Sequence, residues 1–179
     1  DGRQLADPDF GLPVTEPPDT TVAPETVPPP PQPPFQLVAT WQDGAAIPER
    51  HTCDGDDVAP ALSWVNVPVD TLELAVTVTD PDAGGFVHWI VYGIDPTRTG
   101  LLEGELPSEA LLWQNSFGND QWDGPCPPAG PPHTYRFTVH ALNQQLEVAD
   151  DASAAEVISV LDLIAIGQAS VSGSYERAS

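Results

Sequence analysis

Lysine is absent from this chain, and its five basic residues are all arginines. Against them stand 27 acids, for a formal net charge of −22. That balance argues against nucleic-acid binding, which needs a basic footprint, and against simple electrostatic docking on an anionic membrane. No apolar run approaches the roughly 18 residues that a transmembrane segment needs. Cysteine is scarce: Cys53 and Cys126 are too few and too far apart for a zinc site. They leave two readings, one disulfide or two buried thiols. A bridge would close a loop of about 70 residues and contribute ~4 kcal/mol on the chain-entropy model. The chain begins at Asp1 without a methionine or an apolar leader, so an export signal, if there is one, has been removed or left out of this numbering.

What is plentiful sits unevenly. Eleven of the 22 prolines fall within residues 1–34, together with six acids and one base, Arg3. Few large apolar residues are present there to offset the entropy of ordering, so 1–34 is expected to be a disordered, acidic, Pro-rich linker. Its end, PPPPQPP, favours polyproline II, a semi-rigid spacer. Such a tail suits the stalk of an exported lipoprotein, with a lipid anchor upstream. The expected location is extracellular, periplasmic or attached to the cell envelope, and an oxidising compartment favours the disulfide reading. A proline-rich ligand for a recognition module is the other reading of the tail, but no basic residue flanks the prolines to set its orientation.

Residues 35–179 have the composition of one domain of ordinary size. Its centre is residues 72–94, LELAVTVTDPDAGGFVHWIVYGI. Leu72, Leu74, Val76 and Val78 alternate with Glu73, Ala75, Thr77 and Thr79, the period of a strand with one apolar face. Asp80 continues the apolar parity and is expected to point inward. Pro81, Gly84 and Gly85 break the pattern. Residues 87–94 are apolar almost throughout, as in a strand covered on both faces, with His88 at the start. An inward Asp and a His at neighbouring strand ends make a polar pocket; the structural alternative is an Asp capping a turn and a half-buried His.

Residues 133–142, HTYRFTVHAL, read as another strand. His133, Tyr135, Phe137, Val139 and Ala141 share one face, while Arg136 and His140 fall on the other and are expected at the surface. Residues 62–67 suggest a brief strand, and 106–112 a single helical turn. Residues 113–130 form a long segment whose two Trp, one Phe and Cys argue for an ordered, ligand-facing loop. Ser153 and Glu156 have capping-box spacing ahead of an apolar helix, expected to be well buried. Residues 171–177 are expected to be extended, with Tyr175 packed back on the domain. Asp54, Asp56 and Asp57 around Gly55 have some of the look of a calcium loop. The closing carboxylate and flanking helices of an EF-hand are missing, which leaves an Asx-rich turn as the simpler reading.

Several motifs in order resemble the phosphatidylethanolamine-binding protein family, in particular its bacterial YbhB/YbcL-like branch, also called Raf-kinase-inhibitor-like. They are CDGDDVAPAL at 53–62, TDPDA at 79–83, HW at 88–89, NSFG at 115–118, GPCPP at 124–128, HTY at 133–135 and GSYER at 173–177. The resemblance covers about residues 36–177. It implies a mainly β fold, an antiparallel β-sandwich with a few short helices and one buried helix near the C-terminus. It also implies a small pocket for phosphate, carboxylate or a phospholipid head group, walled by Asp80, His88, His133 and Tyr135. The loop of Gly124, Pro125, Cys126, Pro127 and Pro128 supplies backbone donors and an apolar rim, and Asp82 and Trp89 support. Both cysteines fall within motifs of this branch, which fits their pairing. The chain departs from the usual pattern at Asp57 for Asn, Ala59 for Ser, Ala61 for Pro and Trp122 for Tyr, which bears on the width and rim chemistry of the pocket.

Three functions compete. The first is a non-catalytic binding module for small anions such as phosphoethanolamine, with no cofactor and no metal. The second is a regulator or inhibitor of a partner kinase or serine protease. The third is a hydrolase using Ser116, for which no nucleophile elbow is present. A metal site from Asp80, Asp82 and His88 is allowed by ligand type alone. For the binding reading, a carboxylate close to a histidine favours the cationic imidazole, so anion binding is expected to strengthen at mildly acidic pH.

Overall fold

A computed structural model of the chain describes residues 31–177. Of the expected linker 1–34, all but the last four residues lie outside the described residues. Among the described residues the chain builds eight strands, one α-helix and two single-turn 3-10 helices, Glu49–His51 and Pro81–Ala83. Strands β1 (Gln36–Ala39), β2 (Leu62–Val65) and β5 (Gly100–Leu101) form an antiparallel sheet in the order β1-β2-β5. Strands β3 (Glu73–Asp80), β4 (Phe86–Ile94), β6 (Leu111–Leu112), β7 (His133–Leu142) and β8 (Ala165–Tyr175) form a second, in the order β6-β4-β3-β7-β8. All pairs are antiparallel.

The alternation in β3 decides the layering. Leu74, Val76 and Val78 enter the core between the sheets, where Leu37, Leu62, Trp64 and Leu101 meet them from the smaller sheet. Ala75 faces the other way, into a second cluster with Val87, Ile90 and Leu142 that helix α1 (Ala154–Ile164) covers. The middle of the larger sheet is therefore buried on both faces, which accounts for the nearly unbroken apolar run in β4.

The capping box forms as expected: Ser153 Oγ accepts from the Glu156 N–H, and the Ser153 N–H donates to Glu156 Oε2. The helix buries one stripe, Ala154, Val157 and Leu161, and leaves Leu163 83 % exposed. Ile158, Val160 and Ile164 are half-buried on the helix, and Ile166 belongs to β8, which follows without a loop. Three departures are local. Residues 106–112 form no helical turn. A single turn closed by the Ala110 N–H on the Pro107 carbonyl is too short to nucleate a helix, and Leu111 and Leu112 pair with the edge of β4. The second strand ends at Val65, before Asn66 turns left-handed at φ 60°. His140, expected at the surface, is 2 % exposed, because Gln168, across the β7–β8 ladder, and Thr77 on β3 close over it. Arg136 is exposed as expected.

Candidate functional site

The site forms where β3, β4 and β7 end. Asp80, the last residue of β3, is 3 % exposed and keeps the inward parity of its strand. Its Oδ1 accepts from the Ala83 N–H at 3.0 Å, capping the Pro81–Ala83 turn. Gly84 and Gly85 leave that turn at φ 69° and 82°, left-handed values that favour glycine. Asp80 Oδ2 lies 2.7 Å from His133 Nδ1, at the first residue of β7. Asp82 holds the same strand end by accepting the Thr134 N–H at 2.7 Å.

His88 arrives by a β-bulge. Thr79 pairs with Val87 and Val78 with Trp89, so His88 is an extra residue on β4. The bulge turns its ring toward the inter-sheet side, against Tyr135, with centroids 5.2 Å apart and edge to face. His88 Nδ1 lies 2.7 Å from the Asp123 carbonyl. A carbonyl only accepts, so Nδ1 carries the hydrogen and Nε2 is left for a ligand. Burial pulls the His88 pKa below its ordinary value, against the opposing pull of the Asp123 carbonyl and the Asp80 charge. The imidazole is therefore neutral at pH 7.

Tyr135 is fully buried, and its hydroxyl finds no hydrogen-bond partner among the described residues. It lies close to the Asp80 carboxylate but outside good hydrogen-bond geometry. Burial first and the Asp80 charge second push its pKa up, so it stays a protonated donor. An unsatisfied buried donor costs about 1–3 kcal/mol, which a ligand oxygen would recover.

The 124–128 loop is clamped from three directions. Cys126 is bonded to Cys53, the Cys53 N–H donates to the Pro125 carbonyl at 3.2 Å, and the Gly124 N–H donates to Asp57 Oδ1 at 2.9 Å. A Cβ at Gly124 would collide with the His51 carbonyl oxygen, so only glycine fits. Pro128 is exposed at the rim. Trp89 lies beneath the site rather than in it, edge to face with Trp122 at 5.4 Å.

The four expected wall residues thus come together. The metal set does not: the Asp80 carboxylate is held by His133 and Ala83, Asp82 is committed to Thr134, and no group of three or more His, Cys, Asp or Glu is placed for a metal ion among the described residues. In the acidic loop, Asp54 accepts from Tyr175 and Arg177, and Asp57 from Gly124. Ser116 Oγ accepts the Val87 N–H at 2.9 Å, which ties it to strand β4.

Two parts of the site were missed from sequence. Asn115, 4 % exposed, is the hub of the loop that carries Asp123. Its amide donates to the His88 carbonyl and to Asp123 Oδ2, and its Oδ1 accepts from Phe117 and Asn119. Phe86 and Phe117 pack edge to face at 4.7 Å and both flank the His88 ring, with Phe117 52 % exposed. The signal for Asn115 and Phe117 was the NSFG motif at 115–118, which assigns neither residue a role by itself. Asn115→Ala should cost about 2–3 kcal/mol in urea unfolding, because several buried polar groups lose their partner at once. A change under 0.5 kcal/mol, the ~surface-substitution range, would remove Asn115 from that role.

The phosphatidylethanolamine-binding protein family model matches residues 38–176. A UPF0098 protein of Methanothermobacter thermautotrophicus is 38 % identical over 144 residues, 76 % of this chain and 95 % of that protein. The protein called putative lipoprotein LppC of Mycobacterium tuberculosis is 38 % identical over 163 residues, 89 % of this chain and 81 % of LppC. Among solved structures, Escherichia coli YbcL, described as a member of the mammalian PEBP family, superposes with a TM-score of 0.74 at 33 % identity, over 80 % of this chain and 98 % of YbcL.

Proposed function

The chain belongs to the phosphatidylethanolamine-binding protein family, a family of binding proteins, and we propose that it binds small phosphate- or carboxylate-bearing anions, including head groups such as phosphoethanolamine, without turning them over. The observation that carries this reading is the convergence of His88 Nε2, the unpaired Tyr135 hydroxyl and the His133–Asp80 pair at one place. Tyr135 supplies a directional donor, and His88 takes up a proton as the anion enters. Asp80 would repel a bare anion, and its pairing with His133 reduces that repulsion. The tie of Ser116 to Val87 supports binding over hydrolysis, because the hydroxyl is held by backbone instead of by a base.

Proton linkage sets the pH dependence. The bound anion raises the His88 pKa above its depressed free value, so binding takes up a proton. Affinity should therefore climb as pH falls through the bound-state value and level off below the free one. Glycerophosphoethanolamine is a suitable probe, since its phosphodiester keeps one charge between pH 5 and 8. Calorimetric affinity should be several-fold higher at pH 5 than at pH 8. His88→Ala should weaken it by about tenfold or more and abolish the slope. An affinity that does not change with pH would sink the proposal.

We extend the proposal to location. A relative carries the name of a lipoprotein, and the disulfide suits an oxidising compartment, so the domain is exported and the Pro-rich segment spaces it from the envelope. The exposed Phe117, packed edge to face on Phe86 beside His88, favours a second reading in which a partner protein docks at this rim and the chain acts as its regulator.

A further inference from the structure

A second concavity, about 420 Å³ in volume, shares none of the four walls of the anion site. Trp89 and Trp122 form its floor and Leu106 and Leu112 its apolar walls, while Asp57 and Glu105 are the ionisable residues that line it. No arginine or histidine does. Its volume falls in the ordinary range of small-molecule sites.

Along the same segment Glu103 is paired with Arg50 at 2.8 Å and Glu109 with Arg98 at 2.7 Å, so the nearby arginines are spent. Glu105 makes no side-chain hydrogen bond or ion pair among the described residues. Asp57 is held at φ 52°, a left-handed value costly for a residue with a side chain, while its Oδ1 accepts from Gly124. An anion entering this groove would meet two carboxylates within the field of a chain of net charge −22. A cation would meet the same two carboxylates as partners and, if it carries an apolar body, an indole floor suited to cation–π contact.

We infer that this groove is a second ligand site, selective for small ammonium compounds with an apolar body, aryl- or alkylammonium ions, and opposite in charge preference to the anion site. It goes beyond the proposed function and does not depend on it.

The test uses the ¹⁵N-labelled full chain at pH 7, reading the indole N–H signals of its five tryptophans. Three probes share one shape: 2-phenylethylammonium, the neutral 2-phenylethanol and the anionic phenylacetate. The ammonium ion should shift the Trp89 and Trp122 signals saturably and the alcohol less; phenylacetate, a carboxylate that the anion site also accepts, is added after saturation with glycerophosphoethanolamine and should then shift neither. Glu105→Gln should weaken the ammonium ion by about threefold, the worth of one partly exposed charge pair. The same substitution should leave the melting temperature and glycerophosphoethanolamine binding unchanged, so failure here and failure of the anion site read out separately. Equal response to the three probes, no saturation, shifts confined to other tryptophans, or no effect of Glu105→Gln would each overturn the inference.

Discussion

Replacing Cys53 and Cys126 by serine, or reducing their bridge, should lower the unfolding free energy by about 4 kcal/mol. The two residues are 73 apart in sequence, so the bridge removes the closure entropy of a long loop from the unfolded chain. Cys126 is exposed, so a reductant reaches the bond without prior unfolding. The effect extends to the site, because the bridge is one of the three clamps on residues 124–128. The hydrogen bonds from Cys53 to Pro125 and from Gly124 to Asp57 then hold the loop alone. Urea unfolding with and without reductant measures the stability term, and calorimetry with glycerophosphoethanolamine measures the site. A midpoint that does not move on complete reduction would show that the folded loop carries its own stability.

The second large effect is expected in acid, at His140. The tautomer of its buried ring is fixed by a chain of partners that begins at the surface. Asp162 Oδ1 accepts from the Gln168 amide at 2.7 Å, which fixes the amide orientation. The same NH₂ faces His140 Nδ1 at 3.0 Å, so Nδ1 is an acceptor, and Nε2–H donates to Thr77 Oγ1 at 2.9 Å. Burial lowers the His140 pKa from 6.5 to about 4, with Asp162 pulling weakly the other way. The folded state thus binds fewer protons than the unfolded state between those two values. The contribution is fully present above pH 6.5 and is lost as pH falls toward 4, for a total on the order of 3 kcal/mol. Carboxylates titrate in the same window, so the measurement is the difference between wild type and His140→Gln. Wild type should lose stability more steeply than the variant from pH 6.5 to 4; parallel curves would show that His140 does not titrate on unfolding.

Much of the fold was legible because its signals are local. The alternation at 72–79 placed β3 and the inward Asp80, and the Ser153/Glu156 spacing placed the helix start. Pro81, Gly84 and Gly85 marked the turn between the two site strands. The misreadings share one cause. His140 lies on the face of β7 opposite Tyr135, and parity alone made that face look solvated. Helix α1 and its cluster cover that side of the sheet, so the same parity buries the ring. The apolar helix is expected to be well buried, yet it covers the sheet with one stripe and turns Leu163 to solvent. The role of Asn115 is not legible from sequence, because its partners are carbonyls, amides and a carboxylate whose convergence no residue type announces.

The four wall side chains were implied by the resemblance of the motifs to the family; by itself, the order of residues determined the charge that argues against nucleic-acid binding, the strand periods, and the turn and cap positions. Those depend on chemistry within a few positions of each residue. Only the tertiary structure decided where His88 points. One unpaired residue between Val87 and Trp89 rotates its ring onto the face of Tyr135. The bulge exists because of how β4 registers against β3, and register is a property of paired strands, not of either strand alone.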